Sequence, residues 1–449
     1  MVKQEDYIQK FIELLPDYLE QGEFSIVTSS LGDMHPADIA EIIRSISDDN
    51  AISIIRLLQE DIRSDVVAEL DQEEREKLLE ELPASEIAES VVTKMDSDDA
   101  ADLLSELTPE KQSSVIDALE DVEQAQDLLD LLAYDEDTAG GLMAKELIKV
   151  KENWSVGECE VELRKQAEDI DDVHTVYVVS DNDKLEGIIS LKSLILNSPE
   201  TKVKEISKTD IISIKTSAKS MEVSRIMDKY DLVVLPVVDE NNYLVGRITI
   251  DDVVDVIVEE AEKDYQMLSG ISEDVESSDN IWQLTRARFP WLLVGMVGGI
   301  LGAWVVGFFK EGASTEIIIF IPLIAAMGGN VGIQSSALVV QGIANQSLSG
   351  TILSKLFKEL GVGIVNGLLC GILLFVVNVL IGKTFDYSFA VSISLISVII
   401  FAAVFGTWIP LFFNKIKIDP ALATGPFITT ANDIFGLFLY FYICKILIS

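Results

Sequence analysis

RARFPWLLVGMVGGILGAWVVGFF, Arg286 to Phe309, is where this chain changes character. Two arginines lead into an uncharged apolar run long enough to cross a bilayer, which takes about 20 such residues. Upstream, residues 1–288 hold 27 Lys and Arg against 69 Asp and Glu, a net charge of −42. Downstream, Phe289 to Ser449 hold seven Lys and six acidic residues, a net charge of +1. Such asymmetry predicts an acidic soluble body of α and α/β segments joined to a polytopic α-helical membrane domain. A field this negative repels phosphates, so nucleic acid is excluded as a partner.

Toward the carboxyl end the hydropathy pattern predicts five transmembrane helices, at Trp291–Phe309, Ile317–Val340, Gly361–Ile381, Ala390–Phe413 and Ala421–Leu447. Arg286, Arg288, Lys355, Lys358, Lys415 and Lys417 flank them on one side, and Lys310, Lys383 and Lys445 on the other. The positive-inside rule then puts the amino-terminal domains in the cytoplasm and the carboxyl terminus outside. The opening MVKQEDYIQKFIELL has no apolar run of the secretory type, which agrees. The expected location is the cell (plasma or inner) membrane.

Within the spans the polar positions are informative. Asp433, in DPALATGPFITTANDIFGLFLY (Asp419–Tyr440), reads as the only carboxylate well inside a span. A charge there costs a few kcal/mol, so it faces water or a partner. Thr429, Thr430 and Asn432 add neutral oxygens within a turn of it, and Gly425 and Pro426 loosen the helix start. MGGNVGIQSS, Met327–Ser336, reads as a glycine-rich polar break with Asn330 and Gln334 on one face, tolerated where it lines a cavity. Helix packing by small residues is the alternative reading of that stretch.

The acidic half contains two repeat systems. HPADIAEIIRSI (His35–Ile46) is echoed by LPASEIAESVV (Leu82–Val92), with Pro36 and Pro83 47 residues apart, and again by SDDAADLLSEL (Ser97–Leu107). Repeats of this length predict stacked helical hairpins. Asp98, Asp99 and Asp102 in the third copy either cap and solvate a helix or form part of a cation sensor. Further on, VYVVSDNDKLEGIISLKSL (Val176–Leu194) matches LPVVDENNYLVGRITIDDV (Leu235–Val253) at an offset of 59 residues. The constant offset, with Gly187 and Gly246 at a place needing positive φ or close packing, resembles tandem CBS modules. That resemblance implies an adenine nucleotide or an ion as a ligand. Asp252, three residues after Thr249, is the candidate nucleotide-binding residue, or else an N-cap.

The next segment, DDVVDVIVEEAEKDYQML (Asp251–Leu268), continues as a helix carrying Asp252, Asp255, Glu259, Glu260 and Asp264. Like charges three and four apart repel unless a cation or a basic neighbour intervenes. Oxygen ligands without His or Cys select hard cations. A single carboxylate with amides and hydroxyls suits magnesium, which keeps its waters, better than calcium. Spacing alone leaves potassium, sodium and protons open.

The order of these parts, together with IPLIAAMGGNVGIQS and DPALATGPFITTANDIFGL, resembles the MgtE magnesium channels over nearly the whole chain. The resemblance implies domains at 1–135 (acidic helical repeats), 136–200 and 201–258 (CBS modules 1 and 2), 259–283 (connecting, or plug, helix) and 284–449 (five-helix pore). It implies a homodimer in the lipid bilayer, not an enzyme, whose pore binds hydrated Mg2+ at Asp433 with the backbone near Thr429. It also implies cytoplasmic metal-binding residues that close the pore: Asp252, Asp255, Glu260 and Asp264, with Asp98, Asp99 and Asp102 in the repeat domain. Gly425 departs from the family, where a side-chain amide can stand. ATP is the implied modulator. The rival readings are a carrier for cobalt or manganese, a proton-coupled exchanger, and a membrane-anchored CBS nucleotide sensor.

Overall fold

The structure is a computed structural model and describes residues 2–32, 34–167, 170, 173–273, 275, 279–309, 315–344, 351–423 and 425–448. Lys310, one of the flanking charges, lies outside them. The chain divides into two compact units, Met1–Ile257 and Val258–Ser449.

The first unit opens with helices from Val2–Gln21 to Val122–Leu131. Several pack chiefly on the next but one: Pro36–Arg44 on Glu60–Ala68, Asp48–Leu57 on Gln72–Glu80, Ala84–Ser90 on Pro109–Ala118. That is a helical stack in which every unit buries its apolar stripe on its neighbours. Pro36 is the first residue of its helix and Pro83 the cap just before its own, positions where the missing N–H costs nothing. Ile39, Ile42, Ile54, Leu79 and Ile87 are fully buried.

Two three-stranded sheets follow. β1 (Lys149–Lys151), β2 (Val176–Val179) and β3 (Leu185–Ile189) form one, and β4 (Ile214–Lys215), β5 (Val234–Val238) and β6 (Leu244–Thr249) the other. In both, the first pair is parallel and the second antiparallel. Both second pairs carry a register shift at the equivalent place, Val178/Val179 and Val237/Val238. The 59-residue sequence repeat is thus a structural repeat. The glycines at its matching positions serve close packing: a Cβ on Gly246 would lie 2.6 Å from Met143 Sδ, and one on Gly187 3.2 Å from Lys208 O. Positive φ falls four residues earlier, at Asp183 and Asn242.

Two helices matter for the site. α1 (Ser97–Ser105) belongs to the third repeat copy, and α2 (Ile250–Leu268) leaves β6 directly. α2 therefore begins before residue 259, and residues 269–280 contain no helix among those described.

The second unit holds α3 (Ile281–Phe309), α4 (Ile321–Ala344), α5 (Ile352–Leu380), α6 (Phe385–Lys415) and α7 (Gly425–Ile448). Among the described residues five helices are long and apolar enough to cross a membrane. α6 is central, packed against α4, α5 and α7, while α3 lies on α7. Leu292, Met296, Ile300 and Trp304 of α3, and Leu369, Leu373 and Leu380 of α5, form exposed apolar faces of the kind lipid covers.

Two expectations are corrected here. The stretch Met327–Ser336 is no break but the uninterrupted middle of α4. Its glycines let helices touch: a Cβ on Gly406 of α6 would sit 2.4 Å from Gly332 O, and one on Gly332 2.2 Å from Asn432 Nδ2. Nor is Asp433 alone as a carboxylate within the spans. α5 starts nine residues before the expected edge, so Glu359 lies two turns inside it, accepting from Ser335 Oγ at 3.4 Å. An apolar-run criterion stops at a charge, whereas the helix does not.

Candidate functional site

Two places gather the predicted site residues. In the first unit, α1 begins at the Asp96 cap and carries Asp98 and Asp99 in its first turn and Asp102 one turn on. Acids there are stabilised locally by the unpaired N–H groups of the helix start. The Asp99 N–H donates to Asp98 Oδ1 at 3.0 Å. α2 likewise begins with Asp251 and Asp252. Thr249 donates to Asp252 Oδ2 from its N–H (2.9 Å) and its Oγ1 (2.6 Å), a capping arrangement that ties up one oxygen. Ser190, the equivalent of Thr249, meets Ser193 instead of a carboxylate, at 2.9 Å between hydroxyls.

The fold brings these two acidic helix starts close enough for Asp252 to act electrostatically on Asp98 and Asp99. Burial, with Asp252 and Asp99 adding repulsion, holds Asp98 well above the usual carboxylate range. Asp99 and Asp102 remain exposed at the surface, and desolvation by the protein around them pushes both up to about 7. Asp252 and Asp96 add to the shift of Asp99, and Asp99 and Glu136 to that of Asp102. Arg75 opposes the shift of both, but its guanidinium is engaged by Glu106 at 2.6 and 3.1 Å. Burial also raises Asp252 and Asp255, with Asp251 adding to each. Carboxylates that repel one another without enough positive charge nearby suit a hard cation. Among the described residues no three His, Cys, Asp or Glu side chains converge as a ready chelating set. A divalent ion here would be held partly through its own waters, which is magnesium's habit. Sequence reasoning missed Asp96, Glu136 and Asp251; adjacency to Asp98 and Asp252 was the available signal for two of them.

Further along α2, the expected repulsion is partly relieved by a basic neighbour. Lys263 Nζ lies 3.9 Å from both Glu259 and Glu260. Asp264 is raised by burial, then by Asp419 and Glu260.

In the second unit, α7 starts at Gly425 with φ +50°, and any Cβ there would meet Leu268 O of α2 at 2.7 Å. Only glycine permits both that backbone and that approach. Thr429 Oγ1 donates to Pro426 O (3.0 Å) and Gly425 O (3.2 Å), tightening the first turn. Thr430 packs into the space above Gly298 of α3. Asn432 is buried between helices, its Nδ2 donating to Gly328 O of α4 at 3.0 Å while its Oδ1 has no hydrogen-bond partner among the described residues. Asp433, the next residue, is half-buried, and among the described residues no basic group pairs with it. Thr429 and Asp433, four apart, share one face of α7. Asn330 and Gln334, also four apart, are both exposed on α4.

An acidic soluble unit with twin α/β modules, followed by five apolar helices with an unpaired carboxylate among them, defines a multi-pass membrane transporter. The MgtE family model, described as a divalent cation transporter, matches residues 321–443. The MgtE intracellular N domain matches residues 34–137, and CBS domains match 139–200 and 203–259. The magnesium transporter MgtE of Bacillus subtilis (strain 168) is 32% identical over 314 residues, covering 69% of this chain and 70% of that protein. The magnesium transporter MgtE of Thermus thermophilus is 33% identical over 329 residues, covering 71% and 72%. The crystal structure of the cytosolic domain of the Mg2+ channel MgtE in complex with ATP matches with a TM-score of 0.52 and 32% identity, over 55% of this chain and 99% of that one. The chain belongs to the MgtE family.

Proposed function

We propose that this chain is a magnesium channel, a homodimer that admits hydrated Mg2+ to the cytoplasm through a path lined by Asp433 and Thr429 of α7 and by Asn330 and Gln334 of α4. The observation that carries this reading is Asp433: a carboxylate within a span, half open, with no basic partner among the described residues. Such a group persists in a membrane where it meets a cation or water. The membrane potential supplies the drive, about 4.6 kcal/mol per 100 mV for a doubly charged ion. Asn432 serves this path indirectly, by fixing α7 on α4 so that its neighbour faces away from the packed side.

Residues 1–283 act as the magnesium sensor. At low cytosolic Mg2+ the acidic starts of α1 and α2 repel. At high Mg2+ an ion bridges Asp98, Asp99 and Asp102 to Asp252 and Asp255, and the closed state gains population. Glu259, Glu260 and Asp264 extend the same charge-sensitive surface along α2, whose end lies against the start of α7. ATP is a modulator at the second CBS module, where Thr249 and Asp252 stand, by analogy with the ATP-bound relative. The amino-terminal unit lies in the cytoplasm and the carboxyl terminus outside.

Flux into liposomes of purified protein, loaded in turn with Mg2+, Ca2+, Co2+ and Mn2+, tests the reading. Mg2+ entry that follows an imposed potential and ignores an imposed pH gradient supports a channel. Flux driven by the pH gradient would make it an exchanger, a preference for Co2+ or Mn2+ another carrier, and no flux of any ion a membrane-anchored sensor.

A further inference from the structure

A cleft of about 370 Å³ opens where the end of α4, the start of α5 and the end of α6 meet. Its polar lining is Lys355, Asn414 and Lys415, and its apolar lining Ile343, Ile352 and Leu411. The helices alternate in direction, so this is the same membrane side as the start of α3, the side assigned above to the cytoplasm. The inference rests on that assignment.

We infer that this cleft binds the headgroup of an anionic phospholipid from the cytoplasmic leaflet. Three features agree. First, neither lysine has a carboxylate within ion-pair distance among the described residues, in a chain holding 75 acidic against 34 basic residues. Two uncompensated ammonium groups from different helices converge on one space and select a phosphate by charge. Second, Ile352 is the first residue of a 29-residue helix, so unpaired N–H groups and the positive helix end stand at the rim of the cleft. The capping hydroxyl of Thr351 accepts from Ser354 N at 3.3 Å, which leaves the earlier N–H groups for another acceptor. Third, Ile343, Ile352 and Leu411 give the cleft an apolar wall beside its lysines. A free phosphate has no use for such a wall, whereas the glycerol and upper acyl carbons of a lipid do. The occupant clasps three helix ends at once, and Lys415 lies only ten residues before Gly425, where α7 begins.

The test is native mass spectrometry of the full-length protein, delipidated in detergent and titrated with phosphatidylglycerol, phosphatidylcholine or inorganic phosphate. The expected result is binding of phosphatidylglycerol at least about tenfold tighter than phosphatidylcholine, from two lysines near an anionic headgroup. The double variant Lys355→Gln, Lys415→Gln should lose that preference, Lys355→Arg, Lys415→Arg should keep it, and Lys445→Gln at the far end of α7 should not alter it. Equal binding of both lipids by the wild type, or a preference that survives the double Gln variant, overturns the inference. Displacement of phosphatidylglycerol by millimolar phosphate would also overturn it, as the mark of a free-anion site. The readout involves no transport, so failure of the magnesium reading and failure of the lipid site are seen separately.

Discussion

Asp183 and Asn242, 59 residues apart, occupy the same turn in the two α/β modules, both in the left-handed region (φ 59° and 67°), and each gives its carbonyl to the other module. Leu185 N donates to Asn242 O at 3.2 Å and Leu244 N to Asp183 O at 3.4 Å. The exchange locks the modules together about a pseudo-two-fold axis. Asp and Asn tolerate that backbone and β-branched residues do not. Asn242→Val should therefore lower the stability of the soluble unit by about 1–2 kcal/mol, and Asn242→Gly should leave it nearly unchanged. Thermal unfolding of the full-length protein followed by circular dichroism checks this, and equal melting of the two variants would contradict it.

The acidic cleft should make stability fall as pH rises. Asp99 and Asp102 titrate at about 7 in the fold, whereas the unfolded chain releases those protons near the ordinary value of 3.8. Between the two the native state holds more protons, so the contribution is greatest below pH 4, declines up to about pH 7 and is flat above. In EDTA, the soluble-unit transition is expected to be higher at pH 5 than at pH 8. Magnesium at pH 8 should restore it, and Asp99→Asn, Asp102→Asn should blunt both responses. A transition indifferent to pH and magnesium would remove this cleft from the sensor.

Gly425→Ala places a methyl group 2.7 Å from Leu268 O at a backbone with φ +50°. The end of α2 must then move away from α7. If that approach belongs to the closed state, the variant should need several-fold more cytoplasmic Mg2+ to close. Patch recordings with graded magnesium on the cytoplasmic face would show it, and an unchanged closing curve would mean that the approach is not part of gating.

Asp433 and Asn432 are neighbours with different expected roles, and substitutions separate them. Asp433→Asn should abolish Mg2+ flux in liposomes while leaving the protein folded, since nothing among the described residues pairs with that carboxylate. Asn432→Ala removes the hydrogen bond to Gly328 O and a buried side chain, with an expected cost of about 0.5–2 kcal/mol and a milder loss of flux. Wild-type flux in Asp433→Asn would place the ion path elsewhere.

Much of this was legible in the chain. Charge segregation at Arg286 marked where solvent changes from water to lipid, because a bilayer tolerates few charges whatever the fold. The offset between Val176–Leu194 and Leu235–Val253 revealed the twin modules, since a repeated pattern of β-branched residues and turn builds the same unit twice. Asp433 stood out because of its depth in an apolar run.

Other features depended on what meets what across long stretches of chain. No local pattern tells that the starts of α1 and α2, about 150 residues apart, come close enough to repel, or that burial, with Asp252 adding to it, raises Asp99 to about 7, while burial with Asp99 and Glu136 does the same to Asp102. The glycines of Met327–Ser336 read alone as a weak point in a helix. Only the approach of Gly406 and Asn432 made them packing surfaces and kept α4 continuous. Asn432 and Asp433 are equally polar in sequence, and the rotation of α7 against α4 decided that one is buried as a tether and the other left half open. Composition and periodicity act through neighbours along the chain, whereas burial and electrostatic environment are set by tertiary neighbours.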